Sequence, residues 1–203
     1  MLTVVFFGKT GAGKSSTLNA LFGLALATDP AVACTSKPQV TLLDPDEDSG
    51  LPDEPVRVVD MPGIAESLRA EDLYQPYYEK WVPQADSLVW VTQADTRAYK
   101  RDQLYLMKLL PLLRPGLQLI VALNRVDDLG VDEGDESFNT ALRRPSAAQL
   151  AVLPEKISDV YGVFKEILGE AVLFDRSHIV PYTARYGWGL EKLKIAILKG
   201  VER

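Results

Sequence analysis

The chain has 203 residues, 47% of them hydrophobic and 25% charged, which is typical of a globular protein and favours one domain. The net charge of −6 argues against nucleic acid or an anionic membrane as a main partner. A single cysteine, Cys34, excludes an internal disulfide and is typical of a reducing compartment, so we expect a cytoplasmic protein. No stretch reaches the ~18 uninterrupted apolar residues of a membrane span. An apolar pattern begins almost at the first residue, so a domain cut from a longer chain would fit this start.

Apolar runs alternate with amphipathic segments along the chain. Strands are predicted at Thr3–Phe7, Gln39–Leu43, Val56–Asp60, Ser87–Thr92, Leu117–Leu123 and His178–Tyr182. Helices are predicted at Lys14–Phe22, about Asp72–Val82, Lys100–Leu113, about Ser146–Leu168 with a break considered at Pro154, and Gly189–Val201. This alternation predicts an α/β fold, a mostly parallel sheet wrapped by helices. The second and third strands are joined without a helix, so we expect them to form an antiparallel hairpin.

The segment between the first strand and the first helix, Gly8–Ser15, has the pattern G-x-x-x-x-G-K-S. Its glycines allow successive backbone N–H groups to point at phosphate oxygens, and the following helix adds its positive N-terminal end. Lys14 would reach the β- and γ-phosphates, and the Ser15 hydroxyl would bind Mg²⁺. The structural alternative is a tight strand–helix turn. The motif predicts a phosphate site without indicating the base.

The segment after the fifth strand, Asn124-Arg125-Val126-Asp127, favours guanine. The Asp127 carboxylate can accept hydrogen bonds from guanine N1–H and the exocyclic amine, whereas adenine has no such donor pair on that edge. Asn124 can hold the loop and contact N7. An isolated N-x-x-D pattern is more often a plain Asx turn, so the interpretation depends on the other strand ends.

Two further strand ends carry residues suited to the same ligand. In Asp60-Met61-Pro62-Gly63, the aspartate can orient a water bound to Mg²⁺ and the Gly63 N–H can meet the γ-phosphate. In Thr183-Ala184-Arg185, the Ala184 N–H can donate to guanine O6. These loops all follow strands, and open α/β sheets bind ligands outside the carboxyl ends of their strands. We therefore expect the loops to converge on one site.

With these motifs in this order, the chain resembles the TRAFAC-class P-loop GTPases, in the Era/septin-like branch. The sequence pattern G-K-T-G-x-G-K-S-S-T-x-N-A-L is similar to that of bacterial GTPases of the YfjP and YeeP kind. The resemblance covers nearly the whole chain. It implies a three-layer P-loop NTPase fold, with a six-stranded sheet containing one antiparallel strand and helices on both faces. It also implies a single GTP-binding domain over residues 1–203 and a site for GTP or GDP with Mg²⁺.

The resemblance also assigns roles to residues. Thr35, 20 residues after Ser15, matches the first-switch threonine that binds Mg²⁺ and the γ-phosphate, with Thr28 and Thr41 as weaker candidates. The implied metal ligands are Ser15, Thr35 and, through water, Asp60. The implied catalytic groups are Lys14, Thr35 and Gly63. The implied nucleotide contacts are Lys9, Thr10, Gly11, Ala12, Gly13, Lys14, Ser15, Ser16, Thr35, Asp60, Gly63, Asn124, Arg125, Asp127, Thr183, Ala184 and Arg185.

Some positions depart from the family pattern. Arg125 and Arg185 replace lysines, and we expect only a modest change because the side-chain stem can still lie along the base. Ile64 follows Gly63, where Ras-type enzymes use a glutamine to orient the attacking water. Gly11 stands where potassium-activated relatives have an asparagine. The stabilisation of the transition state that these residues would provide must then come from a partner, from a second copy of the protein, or from Lys9 or Arg97.

The sequence therefore predicts a Mg²⁺-dependent molecular switch that binds guanine nucleotides and hydrolyses GTP slowly. The alternative is a GTP-dependent dimerising scaffold or assembly module with little turnover. An ATP-using P-loop kinase is disfavoured by Asn124–Asp127. The expected partners are a second copy across the nucleotide face or a protein effector, without nucleic acid and without a membrane span.

Overall fold

The computed structural model describes residues 1–28, 37–45, 51–64 and 68–199, with side chains described from residue 73 onward in the last range. The strands are β1 (Leu2–Gly8), β2 (Gln39–Leu43), β3 (Val56–Asp60), β4 (Ser87–Gln93), β5 (Gln118–Asn124) and β6 (Ile179–Pro181). The α-helices are α1 (Lys14–Phe22), α2 (Leu68–Trp81), α3 (Lys100–Leu109), α4 (Ala147–Leu168) and α5 (Leu190–Lys199). None of the described helices is long and apolar enough to cross a membrane.

The six described strands form one sheet in the order β2-β3-β1-β4-β5-β6. Only β2 runs antiparallel to its neighbour, with Gln39 opposite Asp60, and every other pairing is parallel. The hairpin expected from the missing helix between β2 and β3 is confirmed. Since the parallel strands all point the same way, the loops after β1, β3, β5 and β6 leave from one edge of the sheet.

Helices cover both faces of this sheet, and the alternation of side chains along the central strands explains why. In β1, Val5 and Phe7 face a core shared with α2, α3 and α4, whereas Val4 and Phe6 face a core shared with α1 and α5. A strand that is buried on both faces has a continuous run of mostly apolar residues, and β1 has the run LTVVFF. The three-layer P-loop NTPase fold is confirmed.

The break considered at Pro154 is wrong, because α4 is continuous over its 22 residues. Pro154 is exposed, whereas Leu153 next to it is buried. The ring therefore sits on the solvent side, where a helix can bend without losing core contacts. The helix is also fixed at its start by a capping box between Ser146 and Gln149.

Most predicted boundaries hold or shift by one residue, and α2 begins at Leu68 rather than at about Asp72. The differences at the end of α3 and at the start of β6 have local causes. The helix after β4 ends at Leu109 and continues as a short 3₁₀ turn, Leu110–Leu112, because Pro111 cannot continue the α-helical hydrogen-bond pattern. His178 does not open β6 but lies in a 3₁₀ turn, and its ring bonds Asp175. The strand itself covers only Ile179–Pro181. The predicted end of the last helix at Val201 lies outside the described residues.

Candidate functional site

The loop between β1 and α1 needs its glycines. Gly8, Gly11 and Gly13 have φ angles of 148°, 78° and 94°, which residues with side chains rarely adopt. A Cβ on Gly8 would lie 2.2 Å from the Val91 carbonyl oxygen, and one on Gly13 would lie 2.4 Å from Asn124 Nδ2. The backbone therefore curls tightly ahead of α1, as expected of a loop whose N–H groups cradle an anion.

Lys14 is 93% buried and is folded back over this loop. Its Nζ donates to the carbonyl oxygens of Gly8 at 3.1 Å and Lys9 at 3.4 Å. The ammonium group is thereby held at the loop from the first turn of α1, a turn without acidic residues. This is a positive, mostly desolvated position at a helix N-terminus, which suits a multiply charged anion.

A hydroxyl and a carboxylate meet beside this position. Ser15 Oγ donates to Asp60 Oδ2 at 2.7 Å, and Asp60, at the end of β3, is almost fully buried. Oxygen donors of these two types are the ligands that Mg²⁺ prefers, directly or through water. The residues present therefore fit a magnesium ion. The third predicted ligand, Thr35, lies outside the described residues.

The segment after β3 runs directly alongside the loop between β1 and α1, residues 8–15, which we call the phosphate loop after its predicted role. Ile64 N donates to Gly8 O at 3.2 Å, and Thr10 N donates to Ile64 O at 3.4 Å. A Cβ on Gly63 would lie 2.2 Å from Thr10 Oγ1 and 2.9 Å from Thr10 Cα, so only glycine fits. The Ile64 side chain is 1% exposed and belongs to the core on the α2–α4 face.

Asn124, at the end of β5, joins three loops. Its Nδ2 donates to Ala12 O in the phosphate loop, and its Oδ1 accepts from the Ala184 N–H after β6, each at 3.1 Å. A contact between the Ala184 N–H and guanine O6 would therefore require this bond to be shared or exchanged. Arg125 has φ 62° and donates to Gly11 O at 2.9 Å, so it also reaches the phosphate loop.

Asp127 follows in a 3₁₀ turn, Val126–Asp128. Its Oδ1 is buried and has no hydrogen-bond partner among the described residues. Partial burial and then the negative charge of Asp127 raise the pKa of the neighbouring Asp128. A buried carboxylate oxygen without a partner is costly and is therefore suited to a ligand that brings donors.

The remaining predicted contacts lie around the same sheet edge. Thr183 is fully buried and its backbone pairs with Gly187 and Trp188. The Arg185 guanidinium is exposed and lies 5.2 Å from the centre of the Tyr186 ring. In the phosphate loop, Ala12 is buried, whereas Thr10, Gly11 and Ser16 are exposed.

Lys9 does not have the free ammonium group expected of a catalytic candidate. Its Nζ lies 2.8 Å from Asp102 Oδ2 and donates to Ala98 O at 2.8 Å. Asp102, in the first turn of α3, is fully buried and also accepts a hydrogen bond from Trp90 Nε1 at 2.9 Å. The Lys9 charge is therefore neutralised on the α3 side of the loop. Arg97, the other cation considered, is exposed.

Two glutamines that no sequence motif marks also contact the site. Gln93, at the end of β4, donates to Gly11 O at 3.1 Å. Gln149, in the first turn of α4, donates from one amide nitrogen to three carbonyls of the turn that carries Asp127. The pattern Ser146-Ala147-Ala148-Gln149 signals the capping box, but nothing in the spacing signals this second contact.

Comparison with protein families and curated proteins identifies relatives of the chain. The family model of the 50S ribosome-binding GTPases matches residues 3–125. The chain is 28% identical over 197 residues to the uncharacterised protein YkfA of Escherichia coli K12, covering 97% of this chain and 61% of that one. It is 29% identical over 157 residues to the uncharacterised YfjP of the same organism, covering 77% and 52%. The chain thus spans only about half to three-fifths of these relatives.

Solved structures share the fold. Era in complex with MgGDPNP and a 16S ribosomal RNA fragment matches with a TM-score of 0.69 and 22% identity, covering 99% of this chain and 57% of that one. Toc33 from Arabidopsis thaliana with Mg²⁺ and GMPPNP matches with a TM-score of 0.67 and 14% identity, covering 98% and 83%. The probable GTP-binding protein EngB matches with a TM-score of 0.62 and 17% identity, covering 99% of both chains.

Proposed function

The chain belongs to the 50S ribosome-binding GTPase family, and on this premise we propose that it is a Mg²⁺-dependent molecular switch. It binds GTP and GDP and hydrolyses GTP slowly on its own. One observation carries the proposal: Asn124 bonds both the glycine-lined loop beside Lys14 and the Ala184 N–H, in the strand-end region that also holds Asp127. A site that joins a phosphate cradle to a guanine-reading carboxylate accommodates the whole nucleotide.

The base half of the proposal rests on Asp127. Guanine N1–H and its exocyclic amine supply two donors, and the buried Asp127 Oδ1 has no protein donor among the described residues. An adenine base would leave the carboxylate unpaired, at a cost of about 1–3 kcal/mol or more for a charged group. The site therefore favours guanine over adenine. The single His178, bonded to Asp175 in its own turn, takes no part in this site.

The phosphate half rests on charge and on hard oxygen ligands. Lys14 and the N-terminus of α1 stabilise negative charge on the β- and γ-phosphates. The Ser15 hydroxyl and, through water, Asp60 would hold Mg²⁺, with Thr35 proposed as the third ligand. When bound, Mg²⁺ supplies positive charge to the phosphate oxygens. The Gly63 N–H, next to Thr10 in the phosphate loop, is proposed to donate to the γ-phosphate.

Slow hydrolysis follows from where Ile64 lies. Its side chain is buried in the core, so at this position no group of the chain reaches the attacking water. Positioning and electrostatics from Lys14 and the backbone N–H groups provide the catalysis that remains. We propose that a protein partner or a second copy, placed across the nucleotide face, supplies the missing group. Lys9 does not supply it, because Asp102 and Ala98 hold its ammonium group.

The second candidate function is a GTP-dependent dimerising scaffold with little turnover. The buried Ile64 favours it, because a site that lacks a water-orienting side chain could serve binding alone. We propose a cytoplasmic location for the domain. The Era structure holds a ribosomal RNA fragment, but we do not propose RNA as a partner here, because the net charge of this chain is −6.

Calorimetric titration with GTP, GDP and ATP tests the proposal, each in Mg²⁺ and in a chelator. We expect GTP and GDP to bind, ATP to bind at least about 100-fold more weakly, and the chelator to weaken GTP binding more than GDP binding. Equal affinity for GTP and ATP would contradict the guanine assignment. Equal GTP affinity with and without Mg²⁺ would contradict the roles given to Ser15 and Asp60.

A further inference from the structure

We propose that Gln149 is the positioning residue for base recognition. In this assignment its amide holds the backbone of the turn that carries Asp127, and so fixes the carboxylate where both of its bonds to guanine can form. The inference rests on the proposed binding of guanine nucleotides. It adds a residue that belongs to none of the sequence motifs and that lies in α4.

Three carbonyl oxygens converge on one nitrogen. Gln149 Nε2 lies 3.2 Å from Val126 O, 3.4 Å from Asp127 O and 2.9 Å from Leu129 O. Gln149 is 99% buried, so water does not compete for these bonds. An amide nitrogen carries two hydrogens, so three acceptors share two donors and the turn is held around one point.

The other end of the side chain fixes its orientation. Gln149 Oε1 accepts from the Ser146 N–H at 3.2 Å, and the Gln149 N–H donates to Ser146 Oγ at 3.1 Å. This capping box places the acceptor atom of the amide at the helix start. The donor atom is thereby directed at the turn, and the reverse orientation would set an oxygen against three carbonyls.

Two contacts fix the turn that carries Asp127 to the rest of the protein, one to the segment after β6 and one to α4. Arg125 enters it with φ 62°, in the left-handed region, and Val126 N donates to Tyr182 O at 3.3 Å. That bond ties the turn to the segment after β6. Gln149 ties it to α4, and the chain between Leu129 and Ser146 is a long connection without α-helix or named strand. Without Gln149, Val126 O would keep only the Leu129 N–H at 3.2 Å, and the Asp127 and Leu129 carbonyls would lose this side-chain donor.

The chemistry of the base gives this role a specific readout. The two acceptor oxygens of Asp127 meet N1–H and the exocyclic amine of guanine, whereas hypoxanthine has N1–H but lacks the amine. The ratio of ITP to GTP dissociation constants therefore measures the second bond alone, because ribose and phosphates are the same in both ligands. A displaced Asp127 lowers this ratio, whereas a general loss of stability does not.

The test compares Gln149→Met and Gln149→Asn with the parent chain in GTP and ITP titrations. Methionine keeps the length and removes both polar ends, and asparagine keeps the amide but is one methylene too short for the turn. We expect the parent to favour GTP by at least about tenfold and each variant to favour it by less than about threefold. The matched control is Gln118→Met, since Gln118 Nε2 also donates to a backbone carbonyl of another element, Ala196 O at 2.9 Å, but from the opposite end of β5. Its GTP preference should equal that of the parent.

The outcomes separate the two hypotheses. A folded variant with the parent's GTP-over-ITP preference overturns the inference, and Gln149 is then a helix cap only. If neither variant folds while Gln118→Met does, Gln149 is a folding residue and the inference is also overturned. If the parent itself shows no preference for guanine over adenine, the proposed function has failed, and this result is seen before any variant is made.

Discussion

The Thr17 hydroxyl and the Tyr182 phenol oxygen lie 2.6 Å apart in the interior, so the helix that begins at the phosphate loop is bonded to the residue before the Thr183–Ala184 loop. Thr17 Oγ1 also donates its own hydrogen to Gly13 O at 2.7 Å, so it accepts a hydrogen bond from the Tyr182 O–H. Burial raises the pKa of Tyr182 far above its ordinary value, which keeps the phenol neutral and able to donate.

Tyr182→Phe should lower the free energy of unfolding by about 1–2 kcal/mol, because it leaves an acceptor on Thr17 buried without its donor. Urea denaturation of the ligand-free chain measures this. Tyr161→Phe, a half-buried tyrosine on α4, is the control and should change stability by less than about 0.5 kcal/mol. If Tyr182→Phe is as stable as the parent, the bond carries no net free energy.

Substitutions of Lys14 and Lys9 should have different effects, one on nucleotide binding and the other on stability. Lys14→Ala should weaken GTP binding at least about tenfold with a small change in unfolding free energy, because we propose that its ammonium binds the phosphates rather than stabilising the core. Lys9→Ala should cost about 3 kcal/mol of stability, because it leaves the buried Asp102 carboxylate without its cation. Titration and denaturation of both variants check this. The reverse pattern would mean that the phosphate site has been misplaced.

Asp127→Asn should turn the preference from guanine toward xanthine, because the new amide can donate to the extra carbonyl of xanthine. Competition between GTP and xanthosine triphosphate measures the change, and we expect GTP affinity to fall at least about tenfold while xanthosine triphosphate affinity rises. Asp128→Asn is the control, since the Asp128 side chain is exposed. Unchanged GTP affinity in Asp127→Asn would exclude this carboxylate as the base reader.

Ile64→Gln should not restore fast hydrolysis. The position faces the core, so the amide would be buried without a partner and the variant should lose about 1–3 kcal/mol of stability. Thermal or urea unfolding and a phosphate-release assay measure the two effects. A stable variant with faster turnover would mean that this side chain can turn toward the nucleotide.

The dependence of GTP turnover on protein concentration shows whether a second copy of the chain or a different protein supplies the missing catalytic group. If a second copy supplies the missing group, specific activity should rise with concentration and saturate near the dimer dissociation constant, in the GTP state rather than the GDP state. If a different protein supplies it, specific activity should stay flat at about 10⁻⁴–10⁻² per second, by analogy with unassisted GTPases. A fast rate that does not depend on concentration would show that the chain is catalytically complete.

Much of the fold could be predicted because it depends on local signals. The continuous apolar run of β1 requires burial on both faces, and the missing helix between β2 and β3 requires a hairpin. The tight loop between β1 and α1 could also be predicted from its glycines, because few other residues adopt the backbone angles of such a turn. The effect of Pro154 could not be predicted, because it depends on which face of the helix meets solvent, and that is a tertiary property.

The supporting contacts of the site could not be predicted, for a related reason. The Lys9–Asp102 pair and the bonds of Gln149 to the turn at Asp127 join residues far apart in sequence, and no local pattern marks either partner. The same holds for Ile64, which the sequence marks only as a non-polar substitution. Its side chain packs into the core on the α2–α4 face, while its backbone bonds Gly8 and Thr10, and both are tertiary contacts.

Asn124 has a thermodynamic consequence for the two halves of the nucleotide. Its amide contacts Ala12 in the phosphate loop and Ala184 beside the proposed base site, so ordering one loop should also order the other. A guanosine fragment and a pyrophosphate fragment should therefore bind with positive cooperativity, since the first to arrive removes part of the entropy cost of the second. Linkage makes this effect reciprocal, so each fragment should raise the affinity of the other by the same factor.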